Sequence, residues 1–179
     1  MLHIQNMFVD NIRIFARAGK GGNGLVSFRR AKFVPKGGPD GGDGGDGGSV
    51  ILEVDPHTND LRSFFYDPKL IATDGVGGQS AKKHGKNGKS VIGKVPPGTI
   101  IYRSNASSMA EATWLEREGE GIELEKIADL TEIGTRFTLC QGGIGGKGNW
   151  HFRSATNQAP TEAEMGTEGE EGVFFMELR

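Results

Sequence analysis

Glycine recurs at every third position in clusters along this chain, and that spacing limits the possible fold more than any other feature. The stretch GGDGGDGG over 41–48 is a strict triplet, and Gly142-Gly143-Ile144-Gly145-Gly146-Lys147-Gly148 repeats it. The same step links Gly19 to Gly22, Gly21 to Gly24, Gly85 to Gly88, and Gly166 to Gly169 and Gly172. A period of three matches neither the 3.6 residues of an α-helical turn nor the two of a strand, but it is the repeat of the left-handed polyproline II helix. Such a helix makes no internal hydrogen bonds, so only neighbours can order it. Glycine on each turn lets backbones approach closely enough for N–H···O and Cα–H···O contacts between segments. The clusters therefore predict several short segments packed side by side, with Gly41, Gly44, Gly47, Gly142, Gly145 and Gly148 as structural glycines. Flexible glycine-rich loops are the competing reading, because glycine costs much conformational entropy to order.

Between the clusters lie short apolar stretches at 7–18, 25–28, 50–54, 61–65, 91–95, 99–102, 121–130, 136–140 and 173–178. Each is rich in Val, Ile, Phe or Leu, and most are bounded by Gly, Pro or Asn-Asp turns, which reads as strand. About eight strands in a chain of 179 residues imply a barrel or sandwich. One helix candidate exists, where Ser108-Met109-Ala110-Glu111 resembles a capping box. The same stretch could form a hairpin, 113–117 returning along 121–126. Collagen is excluded by 7 prolines and the lack of a chain-long G-X-Y repeat. No apolar run reaches the ~20 residues of a bilayer span, and the N-terminus lacks a signal-peptide layout, so a soluble, cytoplasmic protein without a membrane span is expected. The single cysteine, Cys140, allows no internal disulfide and no thiolate metal cluster.

A net charge of -2 hides two opposed surfaces. Residues 1–110 carry 15 Lys/Arg against 9 Asp/Glu, or +6, and residues 111–179 carry 6 against 14, or -8. The acidic runs EATWLEREGEGIELE and TEAEMGTEGEE read as solvated faces. The basic residues gather in Phe28-Arg29-Arg30-Ala31-Lys32-Phe33 with Lys36, and in Lys82-Lys83-His84-Gly85-Lys86-Asn87-Gly88-Lys89. A local positive patch attracts polyanions whatever the sign of the whole chain.

Enzymatic chemistry finds little support. Lys83-His84-Gly85-Lys86-Asn87-Gly88-Lys89-Ser90 ends like a phosphate-binding G-x-x-x-x-G-K-S loop, but Lys83 stands where the first glycine belongs and no hydrophobic strand precedes it. Asp40, Asp43 and Asp46 lack calcium-loop spacing and read as turn and solvent-facing residues. The four histidines are dispersed and show no metal-ligand or triad spacing, so no metal site and no catalytic residue is assigned. What remains chemically specific is cations beside aromatics, in 28–33 and in Trp150-His151-Phe152-Arg153. Cations neutralise phosphates, and exposed aromatic faces stack on unpaired bases, so RNA is the class of ligand these residues suit.

Taken in order, Phe8-Val9-Asp10, AGKGGNG over 18–24, Ser27-Phe28-Arg29-Arg30, VPKGGP over 34–39 before the triplet run, KVPPGT over 94–99, 142–149 and Thr156-Asn157-Gln158-Ala159-Pro160 closely resemble the N-terminal domain of the Obg family of ribosome-associated GTPases. The resemblance implies one domain over 1–179, an eight-stranded β-barrel carrying a lobe of about six polyproline II helices drawn from 19–49, 74–90 and 141–172. It implies tip loops at 29–36, 80–89 and 146–153 that reach toward the peptidyl-transferase centre of the large ribosomal subunit during late assembly, with a role in stress and ppGpp signalling. The RNA-contacting set is then Arg29, Arg30, Lys32, Lys36, Lys82, Lys83, Lys86, Lys89, Lys147, His151 and Arg153. Family members usually carry a basic residue where His151 stands, and often where Ala81 and Asn87 stand; Lys82, Lys83 and Arg153 would supply that charge here. GTP and magnesium are expected in a GTPase domain following Arg179, none in this chain, and the expected partners are the large subunit with its RNA and that GTPase domain, the chain itself being a monomer. The competing function is a regulatory module that contacts its GTPase domain or a signalling protein through the acidic surface.

Overall fold

The computed structural model describes residues 11–33, 37–118 and 121–179. Eight strands and two helices appear among them: β1 (Asn11–Arg17), β2 (Val50–Val54), α1 (Arg62–Tyr66), β3 (Lys69–Ile71), β4 (Val91–Val95), β5 (Thr99–Ser104), α2 (Met109–Arg117), β6 (Leu124–Leu130), β7 (Arg136–Cys140) and β8 (Glu171–Leu178). They form a five-stranded sheet in the order β3-β1-β8-β5-β6 and a three-stranded sheet in the order β4-β2-β7. The protein is therefore mainly β, as the apolar stretches predict.

The closed barrel is corrected: among the described residues no ladder joins the two sheets, and their edges stay open. They share a core instead. Ile14, Leu52, Val54, Leu61, Phe64, Val95, Ile101, Phe174 and Met176 are buried in one cluster. Alternation explains the choice: β2 reads buried at Val50, Leu52 and Val54 and half-buried between.

Two stretches read as strand are not strands. Residues 61–65 enter α1, because Asp60 Oδ1 accepts the Arg62 N–H at 3.0 Å and the turn buries Leu61 and Phe64 against the core. Residues 25–28 retain only an isolated bridge, Phe28 with Pro39. The helix reading of 108–117 holds over the hairpin. Ser108 Oγ accepts the Glu111 N–H at 3.1 Å, and the Glu111 carboxylate reaches back to the Ser107 N–H at 2.7 Å. The Ser107 hydroxyl on Glu111 holds that carboxyl below its ordinary value. Helix α2 lies on the outer face of the five-stranded sheet, where Ala106 and Ala112 bury Val173 and pack beside Phe15 and Phe175. Arg13 clamps it, donating to Glu116 at 3.0 Å and to Thr113 at 3.1 Å.

Cys140 is fully buried at the end of β7. Burial, reinforced by the Glu170 charge, pushes its thiol up to about 12. Since the thiolate is the reactive species, the folded chain should stay inert to a disulfide reagent near pH 8 and react once per chain in denaturant; fast labelling of folded protein would contradict this packing.

The glycine clusters build a second layer that belongs to neither sheet. Six segments, among the described residues, continue strands: 18–25 follows β1, 41–48 precedes β2, 73–78 follows β3, 83–89 precedes β4, 141–149 follows β7 and 161–170 precedes β8. They are joined by a ladder with a step of three. Gly19, Gly22 and Leu25 donate to the carbonyls of Gly48, Gly45 and Gly42; Gly143, Gly146 and Asn149 donate to Gly19, Gly22 and Leu25; Gly42, Gly45 and Gly48 donate to Gln79, Val76 and Thr73. The array is thus ordered from outside each segment, as the flexible-loop reading does not allow.

Backbone partners serve only part of the donors, and side chains take others. Asp43 Oδ1 accepts Gly148 N–H at 2.8 Å and Asp46 Oδ1 accepts Gly145 N–H at 2.8 Å. Asn23, Asp74 and Ser49 do the same for Gly166, Lys20 and Gly142. Asp43 and Asp46 are therefore crosslinks between segments, where the sequence suggests only turn and solvent-facing residues.

Candidate nucleic-acid interface

The strand-to-segment continuity sets where the loops fall. Residues 26–33 with 37–40, 79–82 and 150–160 lie between paired segments at the end remote from the sheets. The first and third of these loops and the start of the 41–48 segment meet on Asn149, which is fully buried. Its Oδ1 accepts the Gly41 N–H at 2.9 Å, and its Nδ2 donates to the Ser27 and Pro160 carbonyls at 3.0 Å each. A neutral amide suits this post: it pays its desolvation with donors and acceptors at once. Sequence reading missed Asn149; its position directly after a glycine triplet was the available signal.

Arg29, Arg30 and Lys32 lie exposed on the first loop, beside Phe33, which is 90% exposed with a φ of 69°. Lys36 is outside the described residues. Lys82 lies on the second loop and Lys83 opens the segment that follows it; His151 and Arg153 lie on the third loop. Lys86 and Lys89 stand farther down that segment, Lys89 next to β4 with its N–H on Thr73 Oγ1 at 2.7 Å, and Lys147 lies on the flank of 141–149. The fold thus brings Lys82, His151 and Arg153 together around one groove and leaves Lys89 near the sheets. Of the six glycines singled out, Gly41, Gly44 and Gly47 sit in one segment and Gly142, Gly145 and Gly148 in another, each with neighbouring backbone where a Cβ would go.

Charge at the tip is largely uncompensated. Among the described residues, Arg29, Arg30, Lys32, Lys82, Lys83, Lys86, Lys89, Lys147 and Arg153 make no ion pair. Only His151 meets a carboxylate, Asp43 at 2.8 Å. Burial pushes the Asp43 carboxyl up, but the Gly148 N–H and His151 outweigh it and hold the group below its ordinary value. Lys82 instead lies over an aromatic face, its Nζ 5.1 Å from the centre of the Trp150 ring.

The stretch 83–90 does not fit a nucleotide phosphate. A phosphate loop needs unpaired backbone N–H groups opening a helix. Here the Gly85, Gly88 and Lys89 N–H groups are bonded to the Asp43 carbonyl, the Asp46 carbonyl and Thr73 Oγ1, and a strand follows. The geometry offers a cation-bearing tip with exposed aromatic faces at Phe33 and Trp150.

The family model described as GTP1/OBG matches residues 9–179. Over 97% of its length the chain is 99% identical to the protein described as GTPase Obg from Akkermansia muciniphila, covering 49% of that protein. It is 48% identical to GTPase Obg from Methylacidiphilum infernorum over 97% of the chain and 48% of the relative. For GTPase Obg from Chlorobium chlorochromatii the identity is 49%, over 96% of the chain and 46% of the relative. The chain spans about half the length of these curated relatives.

Proposed function

The chain belongs to the GTP1/OBG family, and on that premise we propose that it is the ribosome-docking part of a GTP-hydrolysing protein. In this reading the tip binds RNA of the large ribosomal subunit near the peptidyl-transferase centre, during late subunit assembly and its control under stress. GTP and magnesium belong to the portion of the whole protein that these 179 residues do not include. The carrying observation is the set of exposed, unpaired Lys and Arg on loops that a cross-bonded array holds at one end of the fold. The six segments act as polyproline II helices, a reading supported by the ladder with a step of three and by Gly148, whose φ of -72° and ψ of 166° lie near that conformation. Shape and charge position such a tip on phosphates with little direct reading of base sequence.

Salt dependence tests the proposal. Binding of the chain to purified large subunits, followed by co-sedimentation, should weaken with a log–log slope of about -4 if six cations each meet a phosphate. A flat salt response would count against phosphate docking. The regulatory alternative rests on the acidic surface around the end of α2 and the start of β6, where Glu118, Glu123 and Glu125 are exposed. Deleting α2 would uncover Phe15, Val173 and Phe175, so the cleaner comparison changes those three glutamates to glutamine. Subunit binding should stay within about twofold, because surface charges away from the contact act through screened fields.

A further inference from the structure

The aromatic groups at the tip are arranged as more than a charged surface. Pro39, Lys82, Trp150, His151 and Arg153 enclose a groove of about 330 Å³. That volume stands at the small end of ligand sites and is the size of a single nucleotide. Its lining divides in two: Trp150, 37% exposed, is flat and apolar beside the buried Pro39, whereas Lys82, Arg153 and His151 supply cationic or hydrogen-bonding nitrogen. The Trp150 ring lies against the His151 ring with centroids 4.0 Å apart, and His151 is in turn fixed by Asp43 at 2.8 Å. The indole is thereby held as a preformed platform.

Lys82 is held in place at a cost. Ala81 and Lys82 take φ values of 60° and 57°, a left-handed region that residues with a Cβ rarely occupy. Asp40 enforces it, its Oδ2 accepting the Ala81 N–H at 3.1 Å and its carbonyl accepting the Lys82 N–H at 2.7 Å. Two consecutive strained residues that aim one ammonium at one aromatic face are a feature that packing alone does not require.

We infer that this groove seats one unpaired nucleotide of RNA, with the base stacked on Trp150 in place of the Lys82 ammonium, which moves beside Arg153 onto the adjoining phosphate. The inference rests on the RNA-docking reading and sharpens it: the tip selects unpaired over duplex RNA. Base stacking supplies that preference, because a paired base has no free face to offer.

The test uses the 179-residue chain and three probes: a ten-nucleotide single-stranded RNA, a ten-base-pair RNA duplex and adenosine 5′-monophosphate. Trp150→Ala should weaken single-strand binding by about tenfold or more while leaving duplex binding within about twofold. Trp114→Phe, which removes the other tryptophan from α2, should change neither and leaves Trp150 as the sole tryptophan; its emission, excited at a wavelength tyrosine does not absorb, should be quenched by the single strand. Equal single-strand affinity of wild type and Trp150→Ala, no single-strand binding, or tighter binding of duplex than single strand would each overturn the inference. Mononucleotide binding as tight as that of the decamer would overturn the assignment to RNA. Subunit co-sedimentation of Trp150→Ala separates the two readings. Quenching without subunit binding by wild type removes the docking reading and keeps the nucleotide groove; subunit binding with Trp150 indifferent to single-stranded RNA does the reverse.

Discussion

Reversing Arg29, Arg30, Lys32, Lys82, Lys83 and Lys86 to glutamate should weaken binding to the large ribosomal subunit by at least about a thousandfold at moderate salt. All six side chains are exposed, and none makes an ion pair among the described residues, so the substitutions break no internal contact of that kind. Each change removes one phosphate partner and adds a repelling charge. Residues on the same tip lie within a few Debye lengths of one RNA surface, so these terms reinforce one another. Co-sedimentation reports the loss, and an unchanged circular dichroism melt shows that the fold persists. Retained binding by a folded hexamutant would remove the docking claim.

Replacing Gly44 by valine should collapse the glycine array, costing more than about 4 kcal/mol. A Cβ at Gly44 would fall on the carbonyl of Gly22, inside any van der Waals contact, while its N–H is held by the Gly146 carbonyl at 2.8 Å. Neither neighbour can retreat, because Gly22 and Gly146 are themselves rungs of the ladder. Gly145 meets the same limit at the carbonyl of Gly44, so Gly145→Val should behave alike. The control is Gly38→Ala, where a Cβ would meet nothing within 4 Å and stability should change by no more than about 0.5 kcal/mol. Thermal melts of the three variants decide the matter; a Gly44→Val chain that melts with the wild type would restore the flexible-loop reading.

The array also explains which parts of the tip could be read from sequence. The step of three in 41–48 and 142–148 was visible because only glycine fits where another backbone passes, so packing is written directly into residue identity. The basic loops were visible because exposed cations need no partner to be recognised. Asn149 was not, since an asparagine after glycine reads as a turn until two loops and a glycine segment are seen to end on its amide. Aromatic roles were similarly hidden: Phe28 and Phe152 turn out half-buried, while Phe33 and Trp150 carry the exposed faces. A one-residue periodicity cannot assign faces in an irregular loop.

Sequence by itself determined the mainly β character, the three-residue spacing of the glycine segments and the family, and offered the capped helix beside a hairpin. Each depends on local chemistry: alternation, a Ser-x-x-Glu cap, or glycine where no Cβ fits. Tertiary structure alone decided that the strands form two open sheets, that 61–65 turns into a helix, and that 83–90 is a packed segment with its Gly85, Gly88 and Lys89 N–H groups bonded to neighbours. It also decided that Lys82 lines one groove with Trp150 and Arg153, from which it is far in the chain. Those outcomes turn on which distant partner satisfies each backbone donor and covers each apolar face, and residue spacing carries no record of that.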